Sequence, residues 1–343
     1  MKKAAILFAF CLSLCLGYTG CGDASSPAPA DSVSQEIISG ESVSENAQET
    51  SQNTVSEDSG PAQAPAASVT ERPEAIEYTI SENQIVKFSS YDLTDTYDES
   101  TATLIEMNAM EVTITGTGAQ VENNKVIITS GGTYILEGSL ANGQIYVHAG
   151  DDEKVQLVFR NIDIFCNTSA PVYIENADKT VITLPEGTIN NLSDSLAPLD
   201  DSAGGCIYSK DDLTINGTGT LNITANYNNG ISCKNDLTIV DGTYNITAAN
   251  NGLKGNDSIS ILTCTMNIES LDDGCKVSND TEENKGYLFI AGGIFNITAN
   301  DNCFQSTRAF VIQGGHVLGR SYGKIVKCDG YQIGTEEYVE AWM

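Results

Sequence analysis

The sequence predicts an all-β chain wound into a solenoid of parallel strands, and three observations carry that prediction. One pattern returns between residues 205 and 315, with its Asn-Ile core at Asn222, Asn245, Asn267 and Asn296. The intervals are 23, 22 and 29 residues, the last enlarged by a polar insert at 281–285. A repeat of about 22 residues per regular rung is the length of one turn of a β-solenoid. Within each pass the segments LNIT, YNIT, MNIE and FNIT alternate in polarity. Alternation sends Leu221, Tyr244, Met266 and Phe295 to the same side as Ile223, Ile246, Ile268 and Ile297. That side is apolar and must be the interior. Lastly, the corners NNG, NNG and DDG supply residues that tolerate left-handed backbone, and no segment sustains a helical period.

Taken in order, residues 1–21 read as a lipoprotein leader: Lys2 and Lys3, an apolar run over 4–16, then Tyr18-Thr19-Gly20-Cys21. Small residues before a Cys resemble a bacterial lipobox, which makes Cys21 the lipidated first residue of the mature chain. Tyr18 stands where Leu is usual, and an ordinary cleaved leader is the alternative. The apolar run is too short to span a bilayer. The expected location is therefore the extracellular face of a bacterial membrane, held by lipid alone. Residues 22–75 read as a tether: between 22 and 70 there are eight acidic residues and no Lys or Arg among Ser, Ala and Pro. Such a stretch cannot bury enough apolar surface to fold.

Residues 76–320 read as the β-helix itself, with GGTYILEG and GQIYVHAG as earlier, less regular rungs. Residues 321–343 lose the repeat and read as a cap or tail. A formal net charge of −29 argues against nucleic acid or an anionic membrane surface as partner, and the chain is expected as a monomer. Beyond Cys21 seven cysteines remain in the mature chain, an odd count that leaves at least one free thiol. Cys206 and Cys275 are placed at the rung position of Ile231 and Leu253, as small buried hydrophobes. With no Cys-x-x-Cys and only His148 and His316, a structural zinc site is not expected. Gly-x-Ser-x-Gly, His-Glu-x-x-His and phosphate-cradling loops are also missing.

Several blocks resemble a known family. DTYDESTATLIEM (95–107), GQIYVHAGDDEKVQLVFRNIDI (143–164), SAPVYIENADKTVITLPEGT (169–188), IYSKDDLTINGTGTLNITANYNNGI (207–231) and NKGYLFIAGGIFNITAND (284–301) are similar to bacterial carbohydrate-binding domain-containing surface proteins. The resemblance spans roughly 78–319. It implies a right-handed parallel β-helix resembling pectate lyases, with calcium and plant cell-wall polysaccharide, cellulosic or acidic, as ligands. The rung corner of that family is Asp-Gly, whereas this chain has Asn229, Asn251, Asp273 and Asn302. Calcium takes six to eight oxygens, several of them charged. The candidate metal ligands are thus Asp272 and Asp273, Asp301 one rung on, and Asp257 and Asp280 after the adjacent corners. Solvated turn residues are the alternative.

Gly252-Leu253-Lys254 aligns with Gly274-Cys275-Lys276, so Lys254 and Lys276 should stand outward on neighbouring rungs, with Arg308 near the next pass. Lysines beside calcium-binding carboxylates suit β-elimination on uronates, in which a lysine of lowered pKa removes the acidified proton. The same cations could pair with sugar carboxylates without turnover, or close corner salt bridges with Asp257 and Asp280. The face of Asn222, Asn245, Asn267 and Asn296, with Thr224, Thr247 and Thr298, offers a flat row of hydrogen-bonding groups to a glycan. Tyr208, Tyr227 and Trp342 are the candidate aromatic platforms. The expected function is calcium-assisted, non-catalytic polysaccharide binding at the cell surface. A calcium-dependent polysaccharide lyase and an adhesive solenoid that binds another surface protein are the alternatives.

Overall fold

The structure is a computed structural model that describes residues 72–81 and 84–341. The expected leader with Cys21, residues 22–71 of the expected tether, and Trp342 lie outside the described residues.

From Thr103 onward the chain winds into a parallel β-helix with three walls. In the regular rungs the first wall takes Gly205–Ser209, Asn229–Cys233, Leu253–Gly255, Cys275–Val277 and Phe304–Ser306. The second takes Asp212–Asn216, Asp236–Ile239, Ser258–Ile261, Tyr287–Ile290 and Ala309–Ile312. The third takes Thr220–Ala225, Thr243–Ala248, Thr265–Ser270, Ile294–Ala299 and His316–Ser321. Each strand pairs in parallel with its equivalent one rung away, so the first wall is a ten-stranded sheet. The second and third walls merge in the early rungs, where the long strands Gly132–Leu140 and Lys154–Cys166 run across both.

The predicted alternation holds. Ile223, Ile246, Ile268 and Ile297 share one register and are buried, as are Leu221, Tyr244, Met266 and Phe295. Two register details differ from expectation. Ile207 rather than Cys206 aligns with Ile231, while Cys275 does align with Leu253. Cys206 is nonetheless fully buried, and all seven described cysteines are unpaired. Second, the corner glycines are required by close approach, not by left-handed backbone. A Cβ on Gly252 would meet Ile268 Cγ2 at 2.6 Å and the Gly274 carbonyl at 2.7 Å. The left-handed glycines sit at the turn from second to third wall, as at Gly242 with φ 113°.

Both ends are managed. At the start, Glu111–Thr115 folds back antiparallel on Thr103–Ala109, and Ala119–Glu122 on Lys125–Ile128. These hairpins cover edges that would otherwise template pairing with another chain. At the far end, within the segment expected as a cap or tail, the chain continues the coil through residue 341. Val326–Cys328, Tyr331–Ile333 and Val339–Ala341 extend all three walls in parallel register. Tyr331 and Ile333 of this last described rung are exposed.

Residues 76–81 and 84–98 are not a rung but a strap across the second wall. Ile76–Ser81 and Gln84–Phe88 form an antiparallel hairpin whose Ile80, Val86 and Phe88 pack on Phe289, Val311 and Ala309. Asp92 then anchors the strap, 2.6 Å from Lys179 Nζ and accepting the Thr214 hydroxyl at 2.6 Å. Burial alone would raise the Asp92 pKa, but Lys179, Ser89 and Thr214 outweigh it and hold it below the usual carboxylate value.

Asp194, at the end of a third-wall strand, behaves oppositely. Burial pushes its carboxyl up to about 6, against the Asn226 and Tyr227 N–H groups that donate to Oδ1. Its folded pKa lies above the unfolded value, so its contribution is present below about pH 4 and is lost as pH rises through about 6. Asp92 contributes above the unfolded carboxylate pKa and loses that contribution as pH falls through its lower folded value. Asp194→Asn keeps an acceptor for both N–H groups. Measured by thermal unfolding from pH 4 to 7, its stability relative to the native chain should climb by on the order of 1–2 kcal/mol, after allowance for screening. A flat difference would refute the assignment.

Candidate functional site

With the second wall covered, two outward surfaces remain to be built from residues. At the corner entering the first wall two columns run along the coil. The outer column is Asn228, Asn250, Asp272 and Asp301, linked by backbone bonds from each N–H to the preceding carbonyl. The inner is Asn229, Asn251, Asp273 and Asn302, all buried. Its asparagines stack as a ladder: Asn251 Nδ2 donates to Asn229 Oδ1 at 2.7 Å, and Asn302 Nδ2 to Asp273 Oδ1 at 2.7 Å. Asp273, fully buried, cannot donate in turn. Its Oδ2 is answered by the Lys276 ammonium, with Nζ at 2.7 Å.

Carboxylate oxygens of Asp272, Asp273 and Asp301 lie within 4.8 Å of one another. These three of the sequence-predicted metal ligands are brought together. Asp257 and Asp280 are outside the group. Asp257 accepts from Asn279 at 2.8 Å and pairs with Lys285 at 2.7 Å; it holds the 281–285 insert, which resembles no other corner in the repeat. Asp280 is exposed and contributes its backbone carbonyl to Arg308 Nη2 at 2.8 Å.

Lys254 and Lys276 are neighbours in one outward column of the first wall, as expected. The next position is Gln305, not Arg308, followed by Lys327. The two lysines differ chemically. For Lys276 burial is outweighed by Asp273 and Asp272, which raise its pKa and keep it an ammonium. Lys254 is depressed by burial and then by Lys234 and Lys276. Neither closes a salt bridge with Asp257 or Asp280; Lys276 pairs instead with Asp272 and Asp273.

On the third wall the expected row is present. Asn222, Asn245, Asn267 and Asn296 form an unbroken amide ladder beginning at Asn191, each donating to the previous carbonyl at 2.8–2.9 Å. An amide has two donor hydrogens and two acceptor lone pairs, so the ladder leaves one of each per residue facing outward. A shallow groove of about 530 Å³ lies over this row, with Thr224, Thr247, Glu269 and Thr298. Exposed Leu196 and Leu271 flank its continuation.

Sequence reasoning missed a stack of tyrosines. Tyr208 does not stand alone: Tyr146, Tyr173 and Tyr208 share the column that later carries Lys254 and Lys276. Their ring centroids are 5.4 and 5.0 Å apart. Aligning IYVHAG with PVYIEN and CIYSK at the tyrosine was the available signal. Tyr227 is exposed at a corner, outside that column.

Residues 122–335, more than half of the chain, match the family described as carbohydrate-binding domain-containing protein. The chain belongs to that family. A carbohydrate-binding domain-containing protein of Acetivibrio thermocellus is 45% identical over 218 residues, 62% of this chain and 76% of that one. Among solved structures, one described as the polysaccharide lyase-like protein from C. thermocellum, a gadolinium derivative, superimposes with a TM-score of 0.68 at 37% identity. It covers 71% of this chain and all of that one. The carbohydrate-binding fold is thus a parallel β-helix of lyase-like type, and its two asparagine ladders differ in what they support. Asn251→Ala would orphan the buried Asp273 N–H, costing about 1–3 kcal/mol, while Asn229 Oδ1 keeps the backbone N–H of residue 251 as donor. Asn245→Ala, whose neighbours can turn to water, should cost less than about 1 kcal/mol. Urea unfolding of the two variants gives the comparison, and equal losses would contradict it.

Proposed function

We propose that this carbohydrate-binding domain belongs to a lipid-anchored protein on the cell surface that holds plant-type polysaccharide, cellulosic or acidic, with calcium and without cleaving it. The observation that carries the reading is the gathering of three carboxylates, Asp272, Asp301 and the fully buried Asp273, beside a column of lysines. A buried carboxylate is costly unless a cation answers it. Three carboxylates can offer up to about six oxygens, within the range that calcium takes, so the residues fit the ion. Lys276 now answers Asp273 and must turn outward as the ion enters. Bound calcium would neutralise the corner and bridge it to acidic sugars. Lys254 and Lys276 would pair with uronate carboxylates, and the third-wall amides would hydrogen-bond sugar hydroxyls. The acidic composition of residues 22–70 suits reach from an anchored Cys21.

A calcium-dependent lyase is the second reading, favoured by the lowered pKa of Lys254. Lys276, held as an ammonium, is not suited to be the base. Incubation with polygalacturonate and calcium would release ultraviolet-absorbing unsaturated product that Lys254→Ala abolishes; without such product, binding alone stands.

Calcium binding is read most directly from thermal unfolding in EDTA and in excess calcium. At about a hundredfold excess over Kd, mass action gives about 2.7 kcal/mol, or roughly 5–10 °C in Tm. Asp301→Asn, at a half-buried ligand, should remove most of that rise while leaving the EDTA value nearly unchanged. An unshifted native chain would end the calcium reading and leave neutral-glycan binding.

A further inference from the structure

The tyrosine stack lines a second cavity that the calcium corner does not use. It measures about 380 Å³ and lies between the first wall and the loop over 195–204, lined by Tyr146, Tyr173, Lys125, Ser169, Glu175 and Asp200 among others. The loop is tied down, the Asp200 N–H donating to the Thr168 carbonyl at 2.8 Å and the Ser202 N–H to Asp200 Oδ1 at 3.0 Å. Ala170 and Ala203 close the apolar base against Tyr173 and Tyr208.

Two features of this cavity are unfinished. Ser169 is 7% exposed and its Oγ has no hydrogen-bonded partner. Asp200 feels that hydroxyl weakly, but the two do not meet in hydrogen-bond geometry. A buried hydroxyl without a partner costs on the order of 1–3 kcal/mol, and this one lines a space large enough for a ligand group to answer it. Lys125 is the other. Its Nζ sits 4.3 Å above the Tyr146 ring centroid, and among the described residues it makes no ion pair.

The remaining groups define the ligand. Glu175 is ionised, since Lys210 and Tyr173 outweigh the effect of burial, and Asp200 is held low by Ser202. Two carboxylates accept from neighbouring hydroxyls, while Lys125 and Ser169 donate. Tyr146, half-buried, presents an amphipathic ring of the kind that suits one apolar and one wet side. Glu175 is paired with Lys210 at 2.7 Å and Lys125 faces Asp200, so the charges around the cavity balance and a ring without charge suits it.

We infer that the cavity formed by Tyr146, Tyr173, Lys125, Ser169, Glu175 and Asp200 is a second saccharide subsite, which takes a neutral sugar residue without calcium. It rests on the reading that this chain binds polysaccharide, and adds to it a site of opposite preference. The subsite and the calcium corner lie on the same wall, so one polymer of mixed composition, or two polymers, can be engaged at once. Simultaneous engagement multiplies affinity without new contacts.

The test is calorimetric titration of the full chain with cellohexaose in EDTA and with hexagalacturonate in calcium. Cellohexaose should bind in EDTA, weakened about tenfold by Tyr146→Ala and by Ser202→Phe, which fills the cavity from an exposed position. Adding calcium should leave it unchanged. Hexagalacturonate should show the reverse dependence. Retention of cellohexaose binding by both cavity variants would overturn the subsite while polysaccharide binding stands. Binding of hexagalacturonate alone would also overturn the subsite. Binding of neither glycan would overturn both readings. Ser169→Ala separates ligand contact from folding: it should weaken cellohexaose while leaving Tm unchanged or raised, because the hydroxyl it removes has no partner in the free protein.

Discussion

The whole structure depends on one constraint: rung meets rung through parallel strand pairing, so each residue must stand about 4.8 Å from its counterpart above and below. Whatever occupies a column must tolerate its own kind as neighbour. Isoleucine does so by packing, which fills an interior column on the second wall and another on the third. Asparagine does so by donating with its amide and accepting with its carbonyl, which explains ladders both buried at the corner and exposed on the third wall. Tyrosine does so by tilted and edge contacts between rings. Lysine and aspartate do not, and where they stack the fold has to find compensation.

Those exceptions locate the chemistry. Lys254 above Lys276 leaves one lysine depressed and the other held by two carboxylates. Asp212 beside Asp236 on the second wall is raised by burial and then by that like-charged neighbour, and there the strap with Asp92 and Lys179 supplies order. At the Asp272–Asp273 rung both asparagine columns change to aspartate together. The buried member loses the amide hydrogen that would have continued the ladder. A single chain position thus exchanges self-sufficiency for a charge that Lys276, three residues on, must answer.

Periodic columns were legible in the sequence because the rungs from 205 onward keep nearly constant length. Register follows from counting, and Asp272, Asp273, Asp301, Lys254 and Lys276 fall where counting puts them. Elsewhere counting fails for physical reasons. The 281–285 insert breaks the interval after Asp257 and Asp280, and its Lys285 folds back onto Asp257, a contact that counting along the repeat does not supply. Arg308 attracted attention by its charge, yet register gives that column to Gln305. Tyr146 and Tyr173 lie in rungs whose second and third walls are single long strands or unevenly spaced, so no fixed interval links them to Tyr208. The strap was illegible because its alternation is that of any strand, and its partners, such as Phe289 with Tyr78 at 5.0 Å, are distant in sequence.

The exchange of aspartate for asparagine along most of the corner also determines how metal and folding are related. A column of stacked carboxylates repels itself and cannot close without cations, so binding energy would become folding energy. A column of asparagines closes by itself, and Asn229, Asn251 and Asn302 do so here with backbone N–H groups of the next rung as further donors. Lys276 then neutralises the one remaining buried carboxylate. The coil is therefore complete before any ion arrives. A divalent cation at Asp272, Asp273 and Asp301 would compete with an internal ammonium rather than fill a need of the fold, and its affinity would be lowered by the cost of displacing Lys276. An acidic polymer changes that balance, because its carboxylates offer the displaced ammonium a new partner. Ion and polymer would then bind more tightly together than either does alone.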